Sequence, residues 1–149
     1  MDVTLKTITR ENFEAVIALE LPTSQRGYVA NNVYSIAESS VHPTYQPRAI
    51  YSGRVVVGFL MYESFQHGDQ LPAYNIFRLM VDRRHQGRGI GHRAMQCMLD
   101  EIRAHGPFEK ISICYVSTNQ VARDFYASFG FQETALSEET GEVSAEIRG

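Results

Sequence analysis

The chain has only two cysteines, Cys97 and Cys114, too few for a disulfide framework, which fits a reducing cytosol. It has no apolar run near the roughly 18 residues that a membrane span requires. Met1 to Lys6 lacks the charged and apolar regions of a signal peptide, so no membrane partner is expected and the expected location is the cytoplasm. Strong charge of either sign is also missing. A formal net charge of −3 leaves no basic excess to neutralise phosphates, which argues against a nucleic-acid partner. The five histidines, at 42, 67, 85, 92 and 105, show no ligand spacing, and no metal is expected. No repeat, low-complexity tract or linker interrupts the sequence. What remains is 149 residues, 44% hydrophobic and 21% charged, the profile of one globular domain over 1–149.

Val3, Leu5 and Ile8 among threonines predict an opening strand. Thr9 is placed to cap a helix through Phe13, Val16, Ile17 and Leu19, ended by Pro22. A second helical stretch carries Val29, Val33, Ile36 and Ala37 on one stripe, and Val41 to Pro47 is expected as loop. Arg48 to Tyr51, the turn Ser52-Gly53 and Val55 to Phe65 predict a β-hairpin, with Gly58 marking a bulge or close packing. Tyr74 to Val81 is a further strand. A helix from about Arg88 puts Ile90, Ala94, Cys97, Met98 and Ile102 at core spacing and stops at His105-Gly106-Pro107. Lys110 to Val116 alternates as a strand, with Ile111, Ile113 and Tyr115 on one face. Asn119 caps a helix from Gln120 to Ser128, and Phe131 to Leu136 with Glu142 to Ile147 forms a closing hairpin. This order predicts an α+β fold, a mixed sheet flanked by helices.

The stretch Arg84-His85-Gln86-Gly87-Arg88-Gly89-Ile90-Gly91 joins a predicted strand to a predicted helix. Glycines let the backbone approach a ligand closely, and a helix start presents N–H groups at the positive end of its dipole. Together they cradle phosphate oxygens. A nucleotide P-loop would need Lys-Ser or Lys-Thr after the last glycine, and Gly91 is followed by His92-Arg93. A dinucleotide loop would need glycine three positions after Gly89, where His92 stands. Both patterns fail.

Arg84-x-x-Gly87-x-Gly89 does resemble the acetyl-CoA loop of the GNAT superfamily of N-acetyltransferases. The preceding Leu79-Met80-Val81-Asp82 looks like the family's splayed strand, and Asn119-x-x-Ala122-x-x-x-Tyr126-x-x-x-Gly130-Phe131 is similar to its second conserved block. A narrower likeness runs through Gln25-x-x-Tyr28-Val29-Ala30-Asn31, Pro47-Arg48-Ala49-Ile50-Tyr51, Val57-Gly58-Phe59-x-Met61-Tyr62 and Gly141-Glu142. These segments look like bacterial spermine/spermidine (diamine-type) acetyltransferases. That group often has Trp or Leu-Asp before the arginine at 78, where this chain has Ile76-Phe77. The resemblance implies a mostly antiparallel, twisted sheet of six to seven strands with about four helices, splayed at the acetyl-CoA site.

The same resemblance implies the roles. Backbone amides of Gln86, Gly87, Arg88, Gly89, Ile90, Gly91 and His92 would meet the pyrophosphate of acetyl-CoA, the cosubstrate, with Arg83, Arg84, Arg88 and Arg93 nearby. The strand of Leu79, Met80 and Val81 would meet the pantetheine arm through backbone groups of Leu79 and Val81, Asn119 would bond the cofactor, and Tyr126 would protonate the thiolate as the intermediate collapses. A phenol with a pKa near ~10 is a reasonable acid toward a thiolate of similar basicity. The amine must lose a proton before attack, and Glu63, Asp82, Glu38 and Glu142 are the candidate bases. A polyamine would want acidic and aromatic groups, and Tyr28, Tyr34, Tyr45, Tyr51 and Tyr62 lie in the half where family members bind acceptors. An aminoglycoside, an amino acid, a protein N-terminus or a lysine is the alternative acceptor, and a non-catalytic acyl-CoA sensor the alternative function. Cys97 and Cys114 are expected to be small hydrophobes rather than nucleophiles. The terminal hairpin with Val143 and Ile147 is compatible with a homodimer.

Overall fold

A computed structural model describes residues 2–25 and 31–149. In chain order the elements are β1 (Val3–Thr7), α1 (Phe13–Ile17), a 3-10 turn (Thr23–Gln25), α2 (Asn32–Val41), β2 (Tyr45–Ser52), β3 (Val55–Phe65) and β4 (Ala73–Val81). Then follow α3 (Ile90–Ala104), β5 (Lys110–Val116), α4 (Gln120–Ala127), β6 (Gln132–Leu136) and β7 (Glu142–Arg148). The seven strands form one mixed sheet in the order β1-β2-β3-β4-β5-β7-β6. No helix among the described residues is long and apolar enough to cross a membrane. Internal contacts divide the chain into two units, Met1–Glu63 with Arg78–Gly106, and Ser64–Phe77 with Pro107–Gly149.

In the first unit β1, β2 and β3 are antiparallel, from Val3↔Ser52 to Thr7↔Arg48 and from Tyr45↔Glu63 to Ser52↔Val55. β2 begins earlier than the sequence predicts, because Tyr45 to Pro47 pair with Met61 to Glu63. Pro47 is tolerated there because it lies one residue past the end of the β1 ladder. The expected irregularity at Gly58 is present: the register shifts between Ile50 and Tyr51, and Gly58 faces Ile50. A Cβ on Gly58 would stand 2.5 Å from the Met80 carbonyl oxygen, so the residue is glycine for want of space. The core of this unit is β3 from Phe59 to Tyr62, buried on both faces of the sheet, and one stripe of α3. That stripe is Ile90, Ala94, Met95, Met98, Leu99 and Ile102; Cys97 is only half-buried.

Two expectations for the first 41 residues are corrected. α1 is a single turn in which only Val16 is buried, and Thr9 serves it through its carbonyl, which accepts from the Phe13 N–H. In α2 the predicted apolar stripe does not face inward: Val33 is 57% exposed, and the buried residues are Asn32 and Ser35. Asn32 donates to the Val16 carbonyl and contacts Met80 Sδ, and Ser35 accepts from Arg78 Nε. α2 is therefore held by polar contacts, which hydrophobic periodicity cannot report. Val29, with Tyr28 and Ala30, lies outside the described residues.

In the second unit Tyr74 to Ile76 of β4 pair in parallel with Ile111 to Ile113 of β5. β5 pairs antiparallel with β7, and β7 with β6. The last strand of the chain is thus interior, and β6 is an exposed edge. Ile111, Ile113 and Tyr115 point inward, as their alternation predicts, and join Phe131, Val143 and Ala145 in the core.

Candidate active site

The glycine stretch leaves the end of β4 and enters α3 with Gly87 at φ +79 and Gly89 at φ +78. Gly89 caps α3 in the left-handed conformation, with no side chain completing the cap. Gly91 has no such φ, so its role differs from that of its neighbours. The N–H groups of Gln86, Gly87, Arg88 and Gly89 have no acceptor among the described residues. The first turn of α3 holds no acid and carries His92 and Arg93. The Arg93 cation opposes the dipole at the helix N-terminus, so its position costs helix stability unless an anion sits there. Arg83 pairs with Glu20 and Arg84 with Asp82, whereas Arg88 makes no ion pair among the described residues.

Asp82, a candidate base, is 1% exposed and fully engaged. One carboxylate oxygen accepts from the Glu20 N–H at 2.8 Å; the other accepts from Arg84 N at 3.1 Å and Arg84 Nε at 2.9 Å. Burial would raise its pKa, but the Glu20 N–H and the Arg84 donors outweigh it and hold the carboxyl below its usual value. Such a carboxylate is a poor proton acceptor, and Asp82 is better described as the anchor of the loop. Beside it, the Gln86 side chain folds back onto β4, donating to the Val81 carbonyl at 3.0 Å and to Gln25 Oε1 at 3.1 Å. Val81 thus already has its carbonyl bonded within the chain.

One residue before Leu79, Arg78 organises a second cluster. It holds Glu38 at 2.8 Å and Ser35 at 3.2 Å, both on α2. Tyr45 stacks on His42 at 4.5 Å. Its pKa is raised by partial desolvation and by the charges of Glu63 and Glu38. Glu63 accepts from the Thr44 hydroxyl and has no cationic partner among the described residues. Tyr34, Glu38, Glu63 and Arg78 therefore gather around Tyr45. Tyr51 and Tyr62 do not join them: Tyr51 carries Lys6 over its ring, and the Tyr62 hydroxyl is tied to Glu101. Tyr28 lies outside the described residues.

In the second unit Asn119 caps α4 as predicted, its side-chain oxygen accepting from the Ala122 N–H at 3.1 Å. Its amide nitrogen has no hydrogen-bond partner among the described residues. Tyr126, two turns on, stacks on Tyr115 at 5.8 Å and meets the edges of Phe125 and Phe131. Its hydroxyl makes no hydrogen bond to a described residue, and it is not a buried unsatisfied group. Burial of the ring raises its pKa, so the phenol stays protonated at neutral pH. The Tyr115 hydroxyl donates to Glu133, which Arg123 also holds, fixing the ring that Tyr126 packs on. Glu142, another candidate base, opens β7, where its N–H donates to Thr140 and its carbonyl accepts from Ser137. Cys97 donates to the Val3 carbonyl, and burial raises its thiol pKa, against a nucleophilic role.

The model of the acetyltransferase (GNAT) family matches residues 13–131, from α1 through the second conserved block. The chain belongs to that family. Among curated relatives of this acetyltransferase is the spermine/spermidine N(1)-acetyltransferase of Bacillus subtilis, 24% identical over 135 residues, 89% of each chain. Among solved structures it resembles PaiA N-acetyltransferase from Thermoplasma acidophilum in complex with coenzyme A. The TM-score there is 0.74, at 13% identity over 100% of both chains. It also resembles Arabidopsis thaliana Naa50 in complex with a bisubstrate analogue, with a TM-score of 0.73 at 18% identity over 100% of both chains. At these identities the structures establish the fold. Sequence reasoning about the acetyltransferase missed the anchoring roles of Asp82 and Gln86. The available signal was Asp82 two residues before Arg84, the spacing of an Asx turn.

Proposed function

We propose that the protein transfers the acetyl group of acetyl-CoA to a primary amine by direct attack in a ternary complex, and that the acceptor is a polyamine or diamine. The observation that carries the cofactor is the run of four N–H groups, Gln86 to Gly89, with no acceptor among the described residues, beside Arg88, which makes no ion pair among them. These are donors for pyrophosphate. Leu79, Met80 and Val81 line the pantetheine arm and the amides of Ile90, Gly91 and His92 extend the cradle, as in the family pattern. Asn119 offers the cofactor an amide nitrogen, and Tyr126 offers the departing thiolate a protonated hydroxyl, neither of them bonded to a described residue.

The acceptor reading is supported by Glu38 on α2 and Glu63 on β3, whose charges both act on Tyr45 of β2, and by the named activity of the Bacillus subtilis relative. Cationic amines are met by carboxylates and ring faces. Glu63, which has no cation of its own among the described residues, is the group we assign to accept the ammonium proton through water. Nucleophilic attack by the neutral amine on the thioester carbonyl then gives a tetrahedral intermediate. Its collapse expels the thiolate, which Tyr126 protonates, and the second proton on the attacking nitrogen passes through water to the tyrosinate, leaving the neutral amide and a restored phenol. Initial rates with acetyl-CoA against spermidine, spermine, putrescine, an aminoglycoside, free amino acids and a peptide N-terminus test the reading. The highest kcat/KM is expected for a polyamine, and no turnover with any polyamine overturns the acceptor assignment.

A further inference from the structure

The buried carboxylate of Asp82 joins three segments through bonds that involve no substrate. Its backbone N–H donates to the Val57 carbonyl at 2.8 Å, fixing the end of β4 to β3. Its side chain takes the Glu20 N–H from the segment after α1 and two donors of Arg84 at the start of the loop. Its own carbonyl accepts from His85 N–H at 2.9 Å, closing the first turn of the loop. An unpaired anion beside a phosphate site would repel the ligand. Here its charge is matched by Arg84, whose Nη donors have no protein acceptor among the described residues and whose side chain is 70% exposed. Gln86 completes the brace by bonding Val81 and Gln25 with its side chain, and its own N–H has no acceptor among the described residues.

We propose that Asp82 and Gln86 are positioning residues for cofactor binding: Asp82 sets the turn and orients Arg84, and Gln86 pins the loop to β4, so that the amides from Gln86 to Gly89 are held ready for pyrophosphate. This rests on the acetyl-CoA reading of the loop. Preorganised donors bind an anion without the entropy cost of ordering them, so loosening the brace weakens binding of the pyrophosphate-bearing cofactor and spares the chemistry.

The test compares Asp82→Asn, Asp82→Ala and Gln86→Ala with the parent enzyme, using acetyl-CoA and S-acetyl-pantetheine, which carries the thioester but no pyrophosphate. Loss of charge-assisted bonds predicts a rise in KM for acetyl-CoA of about 10- to 100-fold for the Asp82 variants, and about 3- to 10-fold for Gln86→Ala. kcat at saturating acetyl-CoA, KM for the amine and kcat/KM for S-acetyl-pantetheine should stay within about 3-fold of the parent. Equal losses with both thioesters, or an unchanged KM for acetyl-CoA in all variants, overturn the proposal. Should Asp82→Ala fail to fold, Gln86→Ala, whose side chain is not in the core, decides by the same ratio. A parent enzyme that uses both thioesters equally well overturns the pyrophosphate reading itself, and the proposal with it.

Discussion

Gly87, Gly89 and Gly91 look equivalent in the sequence, yet their conformations predict unequal effects of alanine. At Gly87 and Gly89 φ is +79 and +78, and an added Cβ would meet nothing within 4 Å. The cost there is conformational alone, about 1–2 kcal/mol for an L-residue in the left-handed region. That corresponds to roughly a 5- to 30-fold loss of the competent loop. Because the loop, and not the core, carries these angles, the loss should appear in the KM and Kd for acetyl-CoA, with little change in a urea midpoint. At Gly91 φ is not positive, and a Cβ would meet only Val81 Cγ2 at 3.8 Å, an ordinary contact. Alanine in a helical turn gains roughly 0.5–1 kcal/mol over glycine, so Gly91→Ala should be neutral or slightly stabilising. Calorimetric titration with CoA and initial rates over acetyl-CoA measure all three variants. Wild-type affinity in Gly87→Ala and Gly89→Ala, or an equal loss in Gly91→Ala, would refute the reasoning.

Gly58, Tyr126 and Asp82 carry the remaining expectations. Gly58→Ala drives a Cβ against the Met80 carbonyl oxygen, a backbone atom that cannot swing away, and should cost about 1–3 kcal/mol in a urea unfolding curve. Tyr126→Phe keeps the ring packing on Tyr115 and removes the acid. kcat should fall by about 10²- to 10⁴-fold with acetyl-CoA affinity unchanged, and full turnover would remove Tyr126 from the mechanism. In the parent enzyme any alkaline loss of activity through this phenol should lie above pH ~10, because burial raises its pKa. Asp82 has a folded pKa below the unfolded value near 3.8, so it adds stability above that pH and loses it as pH falls through the folded value. Asp82→Asn should therefore flatten the acid limb of stability below pH ~4, measured by urea midpoints across pH.

The half of the chain from β4 to α4 was legible in the sequence because its signals are local. Apolar spacing placed α3, alternation placed β5, and Asn119 marked the start of α4. The glycine loop was legible because positive φ at Gly87 and Gly89 demands the residue that stands there. α2 was misread because the face it buries carries Asn32 and Ser35, chosen for bonds to Val16 and Arg78 and invisible to hydrophobic pattern. Asp82 looked like a base because its partners, the N–H groups of Glu20 and Arg84, come together only on folding. The insertion of β7 between β5 and β6 is equally non-local, since a hairpin sequence does not state which of its strands lies inside.

Acetyl transfer from acetyl-CoA to a primary amine leaves two products that can be counted. Mass spectrometry of spermidine incubated with the protein and acetyl-CoA, alongside measurement of released thiol, tests it most directly. Acetylated spermidine and free CoA should appear in equal amounts, both formed about 10²- to 10⁴-fold more slowly in Tyr126→Phe. Tight CoA binding with no acetylated amine, for spermidine or for a peptide N-terminus, would contradict it.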